Sequence, residues 1–319
     1  MKFLETHFNE YIQSSKNVNL HPSLDSTFNK FPKKICDLKN IIFYGPPGVG
    51  KYTQMLNSIQ QYSPSELKYE KKLTCTYNKY DYIFKISDIH FEIDMSLLGC
   101  HSKLLWNDIF ITINDVLSSR YNSSGIIVCK NFHKIHNELL DCFYSYIQCI
   151  NKNVNITYIL LTEHISFIPE NILNCFFVIN MARPNKTSYN KILNKKLNSK
   201  INITSIYNIK NIITNTNSFI NNINTLIDKI MVHIKDPESI NYLQFRDLIY
   251  DIFIYDMDIN YIIWKIIYNL EIIMNIPNEI ISDIYLDTYI FFQYYNNNYR
   301  PIYHLENYLY TIINKVHGF

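Results

Sequence analysis

The sequence predicts an α/β domain with a parallel sheet, followed by an all-helical region. Three observations support this prediction. A glycine-rich turn at 45–50 joins a short β-rich run to a segment with helical periodicity. Apolar runs of strand length then alternate with helical segments as far as residue 180, which is typical of a mostly parallel sheet covered on both faces. From residue 184 onward, almost only helical periodicity is found.

The predicted elements divide the chain into three parts. Residues 1–182 form an α/β core, 183–236 a helical lid and 237–319 a helical bundle, with the last boundary at a proline that ends a helix. The strands predicted after the first are YDYIFKIS (80–87), IHFEID (89–94), GIIVC (125–129), ITYILLT (156–162) and CFFVIN (175–180), with helices near 102–118 and 136–150.

Composition restricts the class of protein. The 319 residues are 47% hydrophobic and carry a formal charge of +2, so any contact with DNA must be local. The seven cysteines include no Cys-x-x-Cys pair, which favours a reducing compartment without a zinc site. No apolar run reaches the roughly 18 to 20 residues of a membrane span, and the N-terminus does not resemble a signal peptide. We expect a soluble intracellular protein.

The turn GPPGVGKYT matches the phosphate-binding loop G-x-x-x-x-G-K-[S/T] at every defined position except the last. The chain has only six glycines, and three of them lie in this turn, where the backbone must approach a ligand or adopt unusual dihedral angles. Backbone N–H groups at a helix N-terminus bind phosphate, and a lysine adds positive charge. The predicted nucleotide-binding residues of the loop are Gly45, Pro46, Pro47, Gly48, Val49, Gly50, Lys51, Tyr52 and Thr53.

Two positions predict phosphate binding without hydrolysis. Tyr52 stands where a Ser or Thr hydroxyl would bind magnesium, and a rigid phenol does not fit that tight octahedral shell. The strand that would carry acidic residues for magnesium and the attacking water ends in Lys130 and Asn131. The predicted cofactor is therefore ATP or ADP, bound with little help from magnesium.

These motifs give the chain an end-to-end resemblance to the small subunits of replication factor C, the AAA+ loader of the DNA sliding clamp, and above all to its catalytically degenerate small subunit. FYGPPGVGKYTQM resembles the family's phosphate loop, IIVCKNFHKIHNELLDCFYSYIQ its Walker B strand and helix, and ITYILLTEHISFIPENILNCFFVINMARP its sensor 1 region. RPIYHLENYLYTII resembles the closing helix of the family's collar. The resemblance implies an AAA+ core, a lid and an all-α collar domain for oligomerisation, with Thr162 as the sensor residue at the nucleotide.

The resemblance also places Asn174 where the family has the arginine that reaches the neighbouring subunit's ATP, and Asn224 near its sensor 2 arginine. It therefore implies a non-hydrolysing structural subunit that helps to load the sliding clamp at primer-template junctions during DNA replication. The implied partners are other AAA+ clamp-loader subunits, the sliding clamp and primer-template DNA, with Lys103 and Lys134 as DNA-backbone contacts. The implied location is the nucleus, or a cytoplasmic replication site if the protein is viral.

Two alternatives stay open. One is an active P-loop ATPase or nucleotide kinase with metal ligands elsewhere, in which the loop tyrosine merely packs outward. The other is a monomeric DNA-binding adaptor with a vestigial AAA+ core.

Alternation along IHFEID favours exposed positions for Glu92 and Asp94. His133 and His136 could begin a metal site, but they have no further clustered ligand, so we predict no bound metal.

Overall fold

The computed structural model consists of two compact units, Met1–Ile209 and Lys210–Phe319. The predicted core lies in the first unit, and the predicted boundary at residue 236 falls within the second. Residues 194–217 of the predicted lid lie outside the described residues, so lid and collar as separate domains stay predictions. The described residues are 7–17, 19–77, 80–120, 122–149, 154–193, 218–254, 257–274, 276–295 and 300–318.

The first unit is built on a seven-stranded sheet, whose first strand leads directly into the glycine-rich turn. All five strands that the sequence predicts beyond the first are present, within one residue of the predicted bounds. The strands are β1 Asn40–Tyr44, β2 Lys71–Tyr77, β3 Tyr80–Ile86, β4 His90–Asp94, β5 Ser124–Lys130, β6 Asn155–Thr162 and β7 Phe176–Asn180.

The sheet is mixed but mostly parallel, in the order β2-β3-β4-β5-β6-β1-β7. The predicted mostly parallel pairing is confirmed. Pairing is parallel from β4 to β7, whereas the β2–β3 hairpin is antiparallel and also joins β4 antiparallel. Strand β2 was not predicted, because the charges of the segment KYEKK at 68–72, where it begins, are typical of a solvated surface. The glycine-rich turn follows an interior strand, at the carboxyl edge where open parallel sheets bind ligands.

Helices cover both faces of the sheet. The predicted helix at 102–118 has those bounds, and the one predicted at 136–150 is shorter. The helices of the first unit are α1 Phe8–Asn17, α2 Asp25–Phe28, α3 Lys51–Gln60, α4 Ser102–Ser118, α5 Asn137–Ile147, α6 Glu170–Leu173 and α7 Lys186–Leu193.

Side chains alternate between the two faces along each strand. Trp106 of α4 and Phe143 of α5 belong to the core that includes Phe91 and Ile93 of β4. Helices α1 and α3 belong to the core on the opposite face. The polar residues that alternate with the buried apolar ones on β4 therefore face α1 and α3 instead of solvent.

The second unit is helical throughout its described residues and has one shared core. The helix break predicted at Pro237 is confirmed, since this proline lies between two α-helices. Pro277 also lies between two helices, and Pro301 begins one. Within the described residues, no helix has both the length and the apolar character that a membrane span needs. The helices are α8 Ser218–Lys235, α9 Tyr242–Ile254, α10 Ile259–Ile272, α11 Asn278–Tyr295 and α12 Pro301–His317.

Candidate nucleotide-binding site

The glycine-rich loop has a backbone that requires its glycines. Gly48 and Gly50 have φ angles of 72° and 90°, in the left-handed region that glycine tolerates best. At Gly45 an added Cβ would lie 2.3 Å from the carbonyl oxygen of Met181, so no larger residue fits there. The Gly45 N–H donates to the carbonyl oxygen of Thr162 at 3.3 Å. The start of the loop is thus held between the end of β6 and the segment after β7.

Helix α3 begins directly after this loop and offers an anion site. Its first backbone bond runs from the Gln54 N–H to the Gly50 carbonyl oxygen at 3.0 Å. The N–H groups of Lys51, Tyr52 and Thr53 therefore have no acceptor within the helix. These donors and the helix dipole favour a bound phosphate, as the sequence predicts.

Backbone carbonyl groups of the loop hold the Lys51 side chain over the loop. Its Nζ donates to the carbonyl oxygens of Gly45 at 2.7 Å and Pro46 at 2.9 Å. The carboxylate of Glu163 lies 3.6 Å away. Burial lowers the pKa of Lys51, and the nearby Glu163 opposes that shift. The ammonium is placed where a phosphate on the loop could reach it, but it already has an acidic neighbour.

Tyr52 points towards the sheet. Its phenol donates a hydrogen bond of 2.7 Å to Oε1 of Glu92. The alternative in which this ring packs outward is therefore wrong. Burial, and then the negative charge of Glu92, raise the pKa of Tyr52 far above its usual value, so the phenol keeps its proton. A protonated phenol that donates to a carboxylate does not serve as a ligand for magnesium.

Glu92 is a buried carboxylate, and the prediction that it is exposed is wrong. It is 2% exposed, because Phe8 of α1 packs on the neighbouring His90 and Tyr52 covers the carboxylate itself. Nε2 of His90 lies 3.2 Å from Oε1, and Nζ of Lys130 forms an ion pair with Oε2 at 3.3 Å. Burial alone would raise the pKa of Glu92, but His90, Lys130 and Tyr52 together lower it. The carboxylate stays ionised and engaged by three side chains.

The end of β5 carries a cation and an amide, as the sequence shows. Besides pairing with Glu92, the Lys130 Nζ lies 5.5 Å from the centroid of the Tyr52 ring. Asn131, with a φ of 51°, donates from Nδ2 to both carboxylate oxygens of Asp94 at 3.0 and 3.1 Å. Two acidic side chains of this edge, Glu92 and Asp94, therefore stand on β4. Each contacts one of the two residues at the end of β5.

Thr162, the predicted sensor residue, lies at the end of β6 beside the loop. Its hydroxyl donates to the carbonyl oxygen of His164 at 2.6 Å and is fully buried. The polar group of this segment that approaches Lys51 is the next residue, Glu163. Contact between the Thr162 hydroxyl and a nucleotide stays a prediction.

His133 lies on the other side of Glu163. Its Nδ1 accepts the Glu163 N–H at 3.4 Å, and its ring centroid is 5.9 Å from that of His164. Burial lowers the pKa of His133, so the imidazole is neutral at pH 7. The described residues include no group of three or more His, Cys, Asp or Glu side chains that could hold a metal, so the possible site at His133 and His136 has no further ligand there.

Two further segments reach the loop, and the sequence indicated neither. Nε2 of His21 lies 2.8 Å from the carbonyl oxygen of Val49, so the chain before β1 lines the loop. Arg183, after β7, is near enough for its charge to lower the pKa of Lys51.

The remaining predicted residues lie elsewhere on the surface. Lys103 is exposed on α4, and Lys134 is exposed shortly after β5. Asn174 is exposed at the end of α6, and Asn224 is exposed on α8. These positions are accessible to a partner, and the DNA contacts stay predictions.

No protein-family model and no curated protein matches this sequence. Among solved structures, the chain is similar to a RuvB variant from Thermotoga maritima, with 16% identity and a TM-score of 0.34. The match covers 60% of this chain and 53% of that one, so the chain spans about half the length of that protein. A structural similarity this weak supports no conclusion about the function of this chain.

The fold and the glycine-rich loop indicate the class of protein. A mostly parallel seven-stranded sheet, a glycine-rich loop between β1 and α3 and a helical C-terminal unit are features of a P-loop α/β protein. This combination is compatible with an AAA+ core.

Proposed function

We propose that this chain is a nucleotide-binding P-loop protein of the AAA+ type that retains ATP or ADP without hydrolysing it. One observation carries the proposal. Tyr52 and Lys130, at the two positions where magnesium ligands belong, both bind the same buried Glu92. The loop keeps its glycine backbone, its lysine and its free N–H groups for phosphate. Phosphate binding is therefore retained while the means of hydrolysis is lost.

The order of the strands supports an AAA+ core. Strand β6, which the resemblance assigns to sensor 1, lies between the loop strand β1 and β5, which it assigns to the acidic motif. Thr162, Lys130 and the loop thus meet at one edge of the sheet. An AAA+ site needs these three segments together, even though two of them have lost their usual side chains.

The enzyme alternative requires metal ligands that the site does not offer. Glu92 is committed to Tyr52, His90 and Lys130, and Asp94 accepts from Asn131 and also from the Ser96 hydroxyl at 2.6 Å. Hydrolysis by a P-loop protein needs carboxylates that are available to magnesium and to the attacking water. Here Oε1 of Glu92 and both oxygens of Asp94 accept hydrogen bonds from protein groups, and Oε2 of Glu92 is held in the ion pair with Lys130.

Replacing Lys51 by alanine tests nucleotide binding. Its ammonium is a charged partner for phosphate, and a hydrogen bond to a charged group contributes about 1.5–3 kcal/mol, so ADP affinity should fall roughly 10- to 100-fold. Isothermal titration of the whole chain measures this loss. Lys103→Ala removes an exposed lysine on α4 and should leave the affinity unchanged. Equal affinities of wild type and Lys51→Ala, or no binding by the wild type, would contradict nucleotide binding at this loop.

We further propose that the chain acts as a structural subunit of a sliding-clamp loader and helps to load the clamp at primer-template junctions. The loop, the β5 and sensor 1 segments and the last helix support this through their resemblance to replication factor C small subunits. The proposed partners are other AAA+ loader subunits, the sliding clamp and primer-template DNA. Lys103 and Lys134 are the proposed contacts with DNA phosphates, in the nucleus or at a viral replication site.

The second unit supports assembly through its exposed aromatic side chains. Tyr261, Trp264 and Tyr268 follow one another at helical spacing on α10 and are 45%, 50% and 51% exposed. The Trp264 ring lies 6.0 Å from that of Tyr285 on α11. Exposed aromatic surface that continues across two helices is typical of a subunit interface.

Affinity purification of the tagged chain from its native source tests the assembly proposal. We expect to recover other AAA+ loader subunits together with a ring-shaped clamp. Recovery of the chain as a monomer that binds DNA would favour the adaptor alternative. Magnesium-dependent nucleotide turnover by the isolated chain would favour the enzyme alternative.

A further inference from the structure

We infer that this site takes a nucleoside diphosphate without a divalent cation, and that the ammonium of Lys130 supplies positive charge in place of the metal. The inference rests on the proposed nucleotide binding and goes beyond it, since it assigns a role to a residue and excludes a cofactor. It follows from the mutual contacts of the residues that stand where magnesium ligands belong.

The side chains at the two positions proposed for magnesium ligands contact each other and Glu92 within the chain. The Tyr52 phenol keeps its proton and donates it to Glu92 at 2.7 Å, so it presents no free anionic oxygen. The Lys130 ammonium lies 5.5 Å from the centroid of the same ring and 3.3 Å from the second oxygen of Glu92. Magnesium binds oxygen ligands in a strict octahedral shell. A cation and a donating hydroxyl at the two positions do not fit it.

The carboxylates near the loop do not replace these ligands. Glu92 pairs with Lys130, Glu163 lies 3.6 Å from Lys51, and Asp94 accepts from Asn131. Magnesium would have to displace a lysine or an amide from one of them, and the displaced lysine would then face a divalent cation at short range. Such like charges repel each other strongly away from bulk water. Added magnesium is therefore expected to bring no affinity.

Lys130 is suited to the role that the metal would have. Its anchor, the Glu92 side chain, is fully buried, whereas its own side chain is 29% exposed. The ammonium has three donors, and in the described residues one carboxylate is its ion-pair partner. It stands at the carboxyl end of β5, at the edge of the sheet where the loop lies. Lys51, whose ammonium lies on the loop itself, adds a second positive charge at this site.

The position of Glu163 favours a diphosphate over a triphosphate. Its carboxylate lies 3.6 Å from Lys51, the residue that P-loop proteins use for the β and γ phosphates. A γ-phosphate would compete with this carboxylate for the ammonium and would repel it. Without magnesium, its additional charge has no metal to offset it. ADP is therefore the ligand class that the charges around the loop fit best.

Titration of the whole chain with ADP, in EDTA and again in excess magnesium chloride, tests the inference. We expect the two dissociation constants to agree within roughly twofold, with ATP binding at least about fivefold more weakly than ADP in EDTA. Lys130→Met should weaken ADP binding in EDTA by roughly tenfold, and Lys130→Arg should retain it. Lys39→Met removes an exposed lysine at the amino end of β1, away from the loop, so it is the matched control and should bind as the wild type does.

The outcomes separate this inference from the function on which it rests. Wild-type binding that is tenfold or more tighter with magnesium would overturn the inference and leave nucleotide binding intact. Unchanged ADP affinity in Lys130→Met would also overturn it. No ADP binding under either condition would overturn the proposed function as well. The comparison of EDTA with magnesium chloride uses only the wild-type chain, so it tests whether magnesium contributes to ADP binding even if Lys130→Met fails to fold.

Discussion

Replacing Glu92 by alanine should lower the free energy of unfolding of the first unit by about 3–5 kcal/mol, the cost of removing one partner from a buried ion pair. The carboxylate is 2% exposed. Its removal leaves His90 Nε2 and the Tyr52 phenol without their acceptor and takes the buried counter-ion from Lys130. The start of α3, which forms part of the phosphate site, would lose its hydrogen bond to β4 at the same time.

The two tryptophans of the chain allow the first unit to be followed separately. In a Trp264→Phe background the fluorescence of Trp106, which is 1% exposed, reports on the first unit alone during urea unfolding. Glu138→Ala removes an exposed carboxylate from the first turn of α5 and should cost no more than about 0.5 kcal/mol. If Glu92→Ala were as mild as this control, the network around Tyr52 would not stabilise the unit.

The hydrogen bonds and ion pair of Glu92 should make its contribution to the free energy of unfolding depend on pH. The folded pKa of Glu92 lies below its ordinary value of 4.5, because its three partners together outweigh the cost of burial. A carboxyl with a lowered pKa stabilises the fold fully above its unfolded pKa, and this contribution is lost as the pH falls through the folded value. The difference in unfolding free energy between wild type and Glu92→Gln should therefore be constant above pH 5 and shrink below about pH 4.5.

In the second unit, Glu306→Ala should cost about 2–4 kcal/mol. Glu306 on α12 is 5% exposed and accepts three charge-assisted bonds of 2.9–3.2 Å from Arg246 on α9. We expect a smaller loss than for Glu92, because removing Glu92 also leaves two buried partners, His90 and Tyr52, without their acceptor. Glu306 is bonded to Arg246, whose side chain is 27% exposed and whose guanidinium lies 4.4 Å from the centroid of the Tyr242 ring. The displaced cation can therefore recover some hydration.

Fluorescence of the remaining Trp264 in a Trp106→Phe background follows the second unit. Glu271→Ala, an exposed carboxylate in the last turn of α10, is the matched control. A loss at Glu306 below about 1 kcal/mol would equal that of a surface ion pair and would contradict a stabilising role for this contact.

Much of the fold was predictable because its signals are local. The glycines of the loop mark positions with positive φ or close backbone approach, and Gly48, Gly50 and Gly45 meet one or other of these conditions. The interior strands are apolar runs of ordinary strand length, which predict a parallel sheet between two helical layers. The hairpin strand β2 was not predictable in this way, because Lys71 and Lys72 give it the composition of a surface loop.

The burial of Glu92 was not predictable from its strand. Alternation of His90, Glu92 and Asp94 with apolar residues is the pattern of a half-exposed strand, and periodicity does not reveal what covers the polar face. Here the cover comes from distant parts of the chain, Phe8 of α1 and Tyr52 of α3. The usable signal was charge complementarity, since a lysine where an acid belongs suggests an acid nearby.

The contacts at the end of β6 also required the structure. The Thr162 hydroxyl bonds to its own segment, and the carboxylate of the adjacent Glu163 approaches Lys51. The position of Glu163 depends on how the turn after β6 closes, which sequence spacing does not determine. The substitutions that define this site, Tyr52 and Lys130, were visible in the sequence, and their contact through Glu92 required the structure.

Phosphate release from ATP tests the proposed loss of hydrolysis most directly. The purified chain is incubated with ATP and magnesium, beside Lys51→Ala and beside the wild type in EDTA. We expect the same background rate in all three reactions, because the positions proposed for magnesium are filled by a protonated phenol and an ammonium. Magnesium-dependent release that disappears in Lys51→Ala would show a working catalytic site and contradict the proposed loss of hydrolysis.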